Sequence, residues 1–145
     1  MYIHRVSIKN FRCLDDFEMI LNSGVSLFVG ENNSGKSTLL YAIDKILGRS
    51  PGKFELEDFY ASTSGFDPRK SKPIQIDIEL RPESASFSDQ FVQEFTGRLD
   101  TDNKGQFFIV RVKARYNSAI QQVEDSYYSV NSARKESPIN QRDRY

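Results

Sequence analysis

The spacing of apolar and polar residues predicts three strands at the start of the chain. Apolar side chains recur near a period of two in residues 2–11, YIHRVSIKNF, which indicates a first strand. The stretch FEMILN, between two aspartates and the turn-forming NSG, predicts a second strand. The almost wholly apolar run VSLFV, residues 25–29, is typical of a short strand buried on both faces of a parallel sheet.

A helical period follows in residues 36–48. Its apolar stripe excludes Asp44 and Lys45 and consists of Leu39, Leu40, Ile43, Ile46 and Leu47. Gly48 lies at the usual position for a C-terminal glycine, and the nearby Pro51 prevents continuation. Residues 49–73 are rich in Ser, Gly, Pro and charge, which predicts mainly loop with a short helical turn in LEDFY.

The second half of the chain predicts one amphipathic helix among strands. Strict alternation in PIQIDIEL indicates a half-buried strand, and FSDQFVQEFTGRL indicates a helix with Ser88 or Asp89 as its N-cap. After a turn at TDNKG, the runs QFFIVRVKARY and IQQVEDSYYSV predict a hairpin. Residues 132–145 are polar and without periodicity, so we expect one globular unit over 1–131 followed by a polar tail or truncated linker.

A phosphate-binding motif stands between the third strand and the first helix. The sequence GENNSGKS, residues 30–37, matches G-x-x-x-x-G-K-[ST] in the required strand–loop–helix order. Gly30 and Gly35 permit close backbone approaches, so that loop amides from Asn33 to Lys36 can converge on an anion at the start of a helix. The alternative, a glycine-rich turn before an ordinary helix, requires a match to this motif by chance.

The motif predicts a role for each of its residues. Lys36 is expected to reach the β- and γ-phosphates, and the Ser37 hydroxyl to ligate Mg²⁺. Thr38 is expected to contact the α-phosphate or to cap the helix. The carboxylate of Glu31 would repel phosphate, so we expect it to point outward or to meet a cation of another subunit. The predicted nucleotide-binding residues of the loop are Asn32, Asn33, Ser34, Gly35, Lys36, Ser37 and Thr38.

Hydrolysis requires parts that the sequence does not show. A Walker-B acid normally follows four apolar residues, and a further group positions the attacking water. In IQIDIEL the carboxylates alternate with apolar residues, and FFIVRV ends in arginine. We therefore assign no catalytic residue to this chain, and whether the chain alone is an enzyme stays open.

Composition and charge narrow the classes of protein. The 145 residues are 38% apolar and 28% charged, which is typical of a soluble globular domain, and no apolar run is long enough to span a membrane. The formal net charge of +0 argues against a nucleic-acid footprint over the whole domain. Cys13 is the one cysteine, which excludes an internal disulfide and, without an export signal, favours the cytoplasm; we expect both Cys13 and His4 to be strand side chains.

Basic residues could nevertheless form local patches for DNA. Arg111, Lys113 and Arg115 share one strand face, where they could follow a phosphate backbone or form cross-strand ion pairs with nearby carboxylates. We favour ion pairs, with Asp77, Glu79, Glu124 and Asp125 as the candidate partners. Two further basic clusters fall in predicted loops or the tail: Arg69, Lys70 and Lys72, and Arg134, Lys135, Arg142 and Arg144.

The first 48 residues resemble a known group of proteins. The run VSIKNFRCLDDFEMILNSGVSLFVGENNSGKSTLLYAI resembles the N-terminal lobe of ABC-type ATPases of the RecF, SMC and Rad50 group. Its NNSGKS form is most similar to the OLD (overcoming lysogenization defect) family of ATP-dependent endonucleases. The resemblance implies that Arg12, in the NFR turn, lies near the nucleotide and contacts its phosphates or base, the alternative being a solvated turn residue.

The resemblance also implies partners and missing parts. ABC-type heads sandwich ATP between two subunits, which implies a homodimer or head-to-head dimer. In such proteins the Walker-B acids lie far downstream, and OLD nucleases add a metal-dependent Toprim domain there. DNA is then a possible partner of the full-length protein.

These observations together predict an α/β fold. We expect the N-terminal lobe of an ABC-type P-loop NTPase with an antiparallel β-subdomain, and we expect the NTPase core to be incomplete in this chain. The expected function is binding of ATP with Mg²⁺ in DNA processing, repair or phage defence, with hydrolysis completed outside this chain. Two alternatives stay open: a regulatory module that binds ATP or GTP without cleaving it, and a DNA- or partner-binding scaffold with a vestigial nucleotide site. ATP is the default because no guanine-specifying N-K-x-D motif occurs.

Overall fold

The protein is described here from a computed structural model covering residues 1–32, 34–48, 53–61 and 66–139. A 3₁₀ turn over Leu56–Asp58 follows the first helix. In chain order the elements are β1 (Tyr2–Phe11), β2 (Leu14–Ile20), α1 (Lys36–Leu47), β3 (Ile74–Arg81), α2 (Asp89–Glu94), β4 (Asp100–Asp102), β5 (Gly105–Asn117), β6 (Gln122–Val130) and β7 (Glu136–Pro138).

An antiparallel sheet dominates the fold. Its strand order is β2-β1-β3-β5-β6-β7, with β4 paired to β5, and each of these strand pairs is antiparallel. This confirms the predicted antiparallel β-subdomain and the β5–β6 hairpin. β1 covers the predicted residues 2–11, and the slip in its apolar period between Ile3 and Val6 coincides with a shift in register against β3 between Ile3 and Arg5.

One face of the sheet carries the hydrophobic core. Alternating side chains of β1, β3 and β5 point to this face, and α1 contributes Leu39, Ala42 and Ile46 to the same cluster. Phe91 of α2 and Phe95, the residue directly after α2, pack on Phe108 of β5. The Ser88 hydroxyl accepts a hydrogen bond from the Phe91 amide, which confirms Ser88 as N-cap, although α2 ends at Glu94 rather than at Leu99.

The opposite face of β3 is polar but buried, which corrects the prediction of a half-buried strand. Asp77, Glu79 and Arg81 are all buried. Each is paired with a charge of the opposite sign: Arg111 Nε donates to Asp77 at 2.7 Å, and Arg81 Nε donates to Glu79 at 2.7 Å. Charged side chains are tolerated in such a place because hydrogen-bonded pairing compensates the loss of water.

The basic stripe of β5 is occupied by ion pairs, as the sequence favoured. Arg111 binds Asp77, Lys113 lies 2.6 Å from Glu136, and Arg115 lies 3.6 Å from Glu124. Cross-strand neighbours on one face of a sheet are close enough for these contacts. The stripe therefore has protein partners for each of its three charges.

The predicted strand over residues 25–29 is wrong for this chain. The segment forms no ladder, and Val25, Leu27 and Val29 are 101%, 84% and 84% exposed, while only Phe28 packs against the core. A strand buried on both faces needs neighbours on both sides. Among the described residues, the sheet uses β2 as its edge, and no strand remains to pair with this segment.

The apolar stripe of α1 is only partly buried. Leu39 and Ile46 lie in the core, as predicted, but Leu40 and Leu47 are exposed. Lys45, which the helical period placed outside the stripe, is buried. The exposed leucines and the exposed valines of residues 25–29 leave the α/β part without a full core.

A short strand interrupts the segment that lacks periodicity. Residues 136–138 pair with β6 as β7, with Ser137 opposite Ser129, so the expectation of a featureless tail from residue 132 is wrong there. β7 lacks the apolar alternation by which a strand is predicted from sequence. It is held instead by an ion pair, in which Arg111 Nη1 donates to Glu136 at 2.8 Å. The division at residue 131 stays a prediction, and Arg142 and Arg144 lie outside the described residues.

Within these described ranges, no helix is both long and apolar enough to cross a bilayer.

Candidate nucleotide-binding site

The loop before α1 depends on glycine at its last position. Gly35, the N-cap of α1, has φ +90°, a conformation that side chains other than glycine rarely adopt. A Cβ on Gly35 would lie 3.1 Å from Leu14 Cδ2 at the start of β2. The glycine therefore allows both the turn into the helix and the close packing of the loop on β2.

The amides that begin α1 are not used by a capping side chain. Gly35 supplies none, and the first backbone bond of the helix runs from the Leu39 amide to the Gly35 carbonyl at 2.9 Å. The earlier N–H groups lack partners within the helix, and together with the helix dipole they favour an anion. Thr38 does not cap the helix, because its hydroxyl lies 3.5 Å from Cys13 Sγ instead.

Lys36 is held inside the loop by oxygen atoms. Its ammonium group donates to the Gly30 and Glu31 carbonyls, each at 2.5 Å, and to the Ser34 hydroxyl at 3.0 Å. A Cβ on Gly30 would come within 3.0 Å of Ser34 Oγ and 3.6 Å of Lys36 Nζ, and would fill this cradle. The loop thus positions its own cation, and Glu31 takes part through its carbonyl rather than its carboxylate.

A cavity of about 290 Å³ brings most of the predicted site residues together. They are joined there by Cys13, and the full lining is Cys13, Asn32, Ser34, Gly35, Lys36, Ser37 and Thr38. Asn33, which the motif also includes, lies outside the described residues. The lining combines an ammonium, hydroxyls and an amide but no carboxylate, a set that fits an anionic ligand.

The side chains that line the cavity suit Mg²⁺ only when phosphate oxygens supply other ligands of the metal. No group of three or more His, Cys, Asp or Glu residues that could hold a metal ion occurs in the part of the chain that the structure describes. Mg²⁺ commonly takes one or two protein ligands and completes its shell with phosphate oxygens and water. The Ser37 hydroxyl, which lines the cavity, would be the candidate for such a ligand.

Cys13 also lines this cavity, which the sequence did not predict. It was expected as a strand side chain, but it lies exposed in the turn between β1 and β2. The turn brings its sulfur to 3.5 Å from Thr38 Oγ1. Nothing in the sequence signals this contact, because residues 13 and 38 meet only through the packing of α1 beside the turn.

Arg12 lies beside the cavity but not in its lining. It adopts φ +50°, its Nε donates to Asp58 Oδ1 at 2.9 Å, and its guanidinium lies 4.0 Å from the centre of the Tyr41 ring. Arg12 is thus an exposed turn residue whose side chain also has protein partners. Contact between Arg12 and a nucleotide stays a prediction.

Asp58 is a second residue that sequence reasoning missed. Its side chain is 2% exposed and lies 2.8 Å from Lys45 Nζ of α1 in addition to the Arg12 contact. Burial opposes ionisation, but hydrogen bonds from Lys45, the Glu55 amide and Arg12 hold the pKa of Asp58 below its usual value. The resemblance described above rests on the first 48 residues and gives this carboxylate no role.

Comparison with known proteins decides the family. A family profile described as an AAA ATPase domain matches residues 1–144, nearly the whole chain. The chain belongs to the AAA ATPase domain family. The match includes the predicted phosphate-binding motif of residues 30–37.

Similar curated proteins agree with the resemblance to OLD, RecF and Rad50 ATPases. The AAA ATPase domain is 46% identical to an OLD nuclease of Thermus scotoductus over 46 residues, 32% of this chain and 8% of that protein. It is 32% identical over 87 residues to the DNA replication and repair protein RecF of Streptococcus gordonii, covering 55% of this chain and 24% of RecF. It is 28% identical over 81 residues to the DNA double-strand break repair Rad50 ATPase of Thermoplasma acidophilum, covering 56% and 8%. The match thus spans a quarter or less of each relative.

The carboxylates of β3 do not serve this AAA ATPase domain as catalytic acids at the loop. Asp77 is bound by Arg111, and Glu79 by Arg5 and Arg81, on the polar face of the sheet. Neither lines the phosphate-loop cavity. Among the described residues, the lining of the loop cavity therefore contains no carboxylate.

Proposed function

We propose that this chain binds ATP with Mg²⁺ through residues 30–38, as the N-terminal part of an OLD- or RecF-like ATPase. The observation that carries the proposal is the cavity in which the Lys36 ammonium, the Ser37 and Thr38 hydroxyls and the first amides of α1 converge. A triphosphate satisfies all of these donors at once. A neutral ligand would leave the ammonium and the helix dipole without a matching charge.

Each residue has a distinct part in binding. Lys36 exchanges its contacts with the Gly30 and Glu31 carbonyls for β- and γ-phosphate oxygens, moving only the end of its side chain. Ser37 orients the metal, and bound Mg²⁺ supplies further neutralisation of the phosphate charge. Asn32, Asn33, Ser34 and Gly35 shape the loop around the phosphates, and Thr38 closes the cavity beside Cys13.

Hydrolysis is completed by residues outside this chain. Two observations support this: no carboxylate lines the cavity among the described residues, and the extended segment before the loop exposes Val25, Leu27 and Val29. A further lobe that paired with residues 25–29 would bury these side chains and bring acids to the loop. The relatives, of which the chain matches a quarter or less, have room for such a lobe.

The wider setting follows from the names of the relatives. Because they are called a nuclease, a replication and repair protein and a break-repair ATPase, we infer a role in DNA processing, repair or phage defence. We infer a head-to-head dimer around ATP, a cytoplasmic location and contact with DNA through the full-length protein. The ion-paired stripe of β5 makes DNA contact by that stripe of this chain the weaker part of the inference.

A second candidate function shares the same site. A nucleotide-binding module that never cleaves ATP is favoured by the lack of a carboxylate in the lining of the cavity. Phosphate release separates the two candidates, when it is measured with the chain alone and with the complete protein that contains it. Release by the complete protein supports the ATPase, and lack of release by both supports the module.

Equilibrium binding of a fluorescent ATP analogue tests the proposal. We expect saturable binding by the wild type and binding about 100-fold weaker for Lys36→Ala, because a hydrogen-bonded charge is worth about 3 kcal/mol. Lys104→Ala, a change at an exposed turn lysine, is the matched control and should bind like the wild type. Equal binding by wild type and Lys36→Ala would contradict the proposed site.

A further inference from the structure

We propose that Asp58 is a positioning residue of the nucleotide site. Its carboxylate is the shared counter-ion that holds the Arg12–Cys13 turn and helix α1 together, and these two parts wall the phosphate-loop cavity. The inference rests on the proposed function, because it assigns to Asp58 the task of keeping that cavity in shape for a triphosphate.

The contacts of Asp58 reach both walls. Oδ1 accepts from Arg12 Nε at 2.9 Å, and the Asp58 carbonyl accepts from the Arg12 amide at 2.8 Å. Oδ2 lies 2.8 Å from Lys45 Nζ of α1 and accepts from the Glu55 amide at 3.1 Å. One buried side chain therefore links the β1–β2 turn, the helix and the 3₁₀ turn.

The linked turn is the one that reaches the phosphate loop. Cys13, next to Arg12, lines the cavity and lies 3.5 Å from Thr38 Oγ1. Leu14, the following residue, packs so close to Gly35 that an added Cβ there would be 3.1 Å away. A shift of Arg12 away from α1 would move these contacts and widen the cavity.

Electrostatics explains why a carboxylate is needed at this position. Arg12 and Lys45 both contact the Tyr41 ring, at 4.0 and 5.1 Å from its centre, so two positive charges lie close to one aromatic side chain. Lys45 is only 4% exposed, so water screens its charge poorly and the nearby positive charge of Arg12 is unfavourable. Asp58 offsets this repulsion and so keeps turn and helix together.

The geometry also leaves part of Arg12 available to a ligand. Its side chain is 39% exposed, and the hydrogen bond to Asp58 uses only Nε of the guanidinium. The two terminal nitrogens can donate to a phosphate while Nε holds the carboxylate. Asp58 therefore fixes Arg12 in an orientation that a free arginine side chain would hold only part of the time.

The test removes the carboxylate without leaving a buried charge alone. Asp58→Asn by itself leaves Lys45 buried without a counter-ion and is expected to unfold much of the protein. The double variant Lys45→Met/Asp58→Asn removes both charges and keeps the volume, so it should fold. We expect its affinity for the fluorescent ATP analogue to be about tenfold below that of the wild type.

Two further measurements separate positioning from general stability. Arg12→Ala should also weaken binding about tenfold, and adding it to the double variant should cause no further loss, because both changes break one interaction. Cys13 is the one cysteine, so alkylation by N-ethylmaleimide reports on the turn alone. Saturating ATP should protect Cys13 in the wild type and protect it less in the double variant.

A matched control is Asp77, a second buried aspartate that binds an arginine. Asp77→Asn breaks the pair with Arg111 on the polar face, so it should lower the urea midpoint but leave ATP affinity and Cys13 protection unchanged. A folded double variant that binds ATP within twofold of the wild type would overturn the role of Asp58. Lack of binding by the wild type, or equal binding by Lys36→Ala, would instead overturn the proposed function itself.

Discussion

Gly35 shows how one residue joins local conformation to packing at the site. Its positive φ starts α1, and its missing Cβ admits Leu14. The motif predicted the need for glycine here, because the backbone conformation is a local requirement, whereas the contact with Leu14 of β2 is visible only in the folded chain. Asp58 was not predicted, because its partners lie 46 and 13 positions away and only the folded chain brings them together.

Replacing Gly35 by alanine should destabilise the protein by about 2 kcal/mol. About 1 kcal/mol comes from the left-handed backbone, and crowding against Leu14 adds at least as much. Gly97, with φ +77° and nothing within 4 Å of an added Cβ, is the matched control and should cost only the backbone part. Urea unfolding measures both, and equal losses for the two variants would contradict the packing argument.

At the scale of elements, ion pairs hold the strands together on the polar face of the sheet. Arg81 of β3 binds Asp102 of β4 through two hydrogen bonds of 3.0 and 2.6 Å, and Glu136 of β7 binds Arg111 of β5. The sequence predicted β3, β5 and β6 from their alternation, since that pattern marks one face as core. It missed β4 and β7, which are three residues long and depend on charge rather than on apolar burial.

Acid should weaken the β3–β4 contact in a defined pH window. The hydrogen bonds from Arg81 lower the pKa of Asp102 to about 2, against burial, which would raise it. Since the folded pKa lies below the unfolded value of about 4, the contribution to stability is present above pH ~4 and is lost as the pH falls towards 2. Urea midpoints between pH 6 and 2 should therefore fall less for Asp102→Asn than for the wild type.

The exposed Asp15→Asn variant is the control for this titration and should follow the wild type. If Asp102→Asn and the wild type lose stability in parallel across the window, the Arg81–Asp102 pair does not contribute as described.

The attachment of β7 should depend on Glu136. Its carboxylate is paired with Arg111 and Lys113, and Glu136→Gln removes the charge while keeping the shape. We expect the Ile139 amide, which donates to the Tyr127 carbonyl at 2.9 Å, to exchange about tenfold faster with deuterium, since charged hydrogen bonds exceed neutral ones by about 1.4 kcal/mol. Glu94→Gln on exposed α2 is the control, and unchanged exchange at Ile139 in Glu136→Gln would show that β7 is held by other contacts.

At the scale of the whole molecule, the described part of the chain combines a seven-stranded antiparallel sheet with an α/β part whose apolar side chains are partly exposed. The apolar run of residues 25–29 predicted a buried strand, which is wrong here because the described residues provide no neighbouring strands for it. Such an outcome could not be foreseen from local pattern, because burial depends on which other segments are present. The family, by contrast, was predictable, since the phosphate loop and its flanks are contiguous in sequence.

The exposed apolar side chains of residues 25–29 should make the chain bind to apolar surfaces. Leu27→Ser removes an apolar side chain that is 84% exposed. It should therefore reduce the binding of a hydrophobic fluorescent dye and the concentration-dependent association of the chain. The free energy of unfolding should change by no more than about 0.5 kcal/mol. Ile76→Ser, at a fully buried position, should instead unfold the sheet. Light scattering and urea unfolding measure the two effects, and a large loss of stability in Leu27→Ser would mean that residue 27 is already covered.

Residue-resolved NMR with ATP and Mg²⁺ tests the central claim most directly, because it locates the ligand on the chain. Binding by the phosphate loop predicts saturable amide shifts that are largest at residues 34–38 and Cys13 and that vanish in Lys36→Ala. Shifts confined to the polar face of the sheet, or no saturable shift at any ATP concentration, would contradict the claim that this chain holds ATP in its phosphate loop.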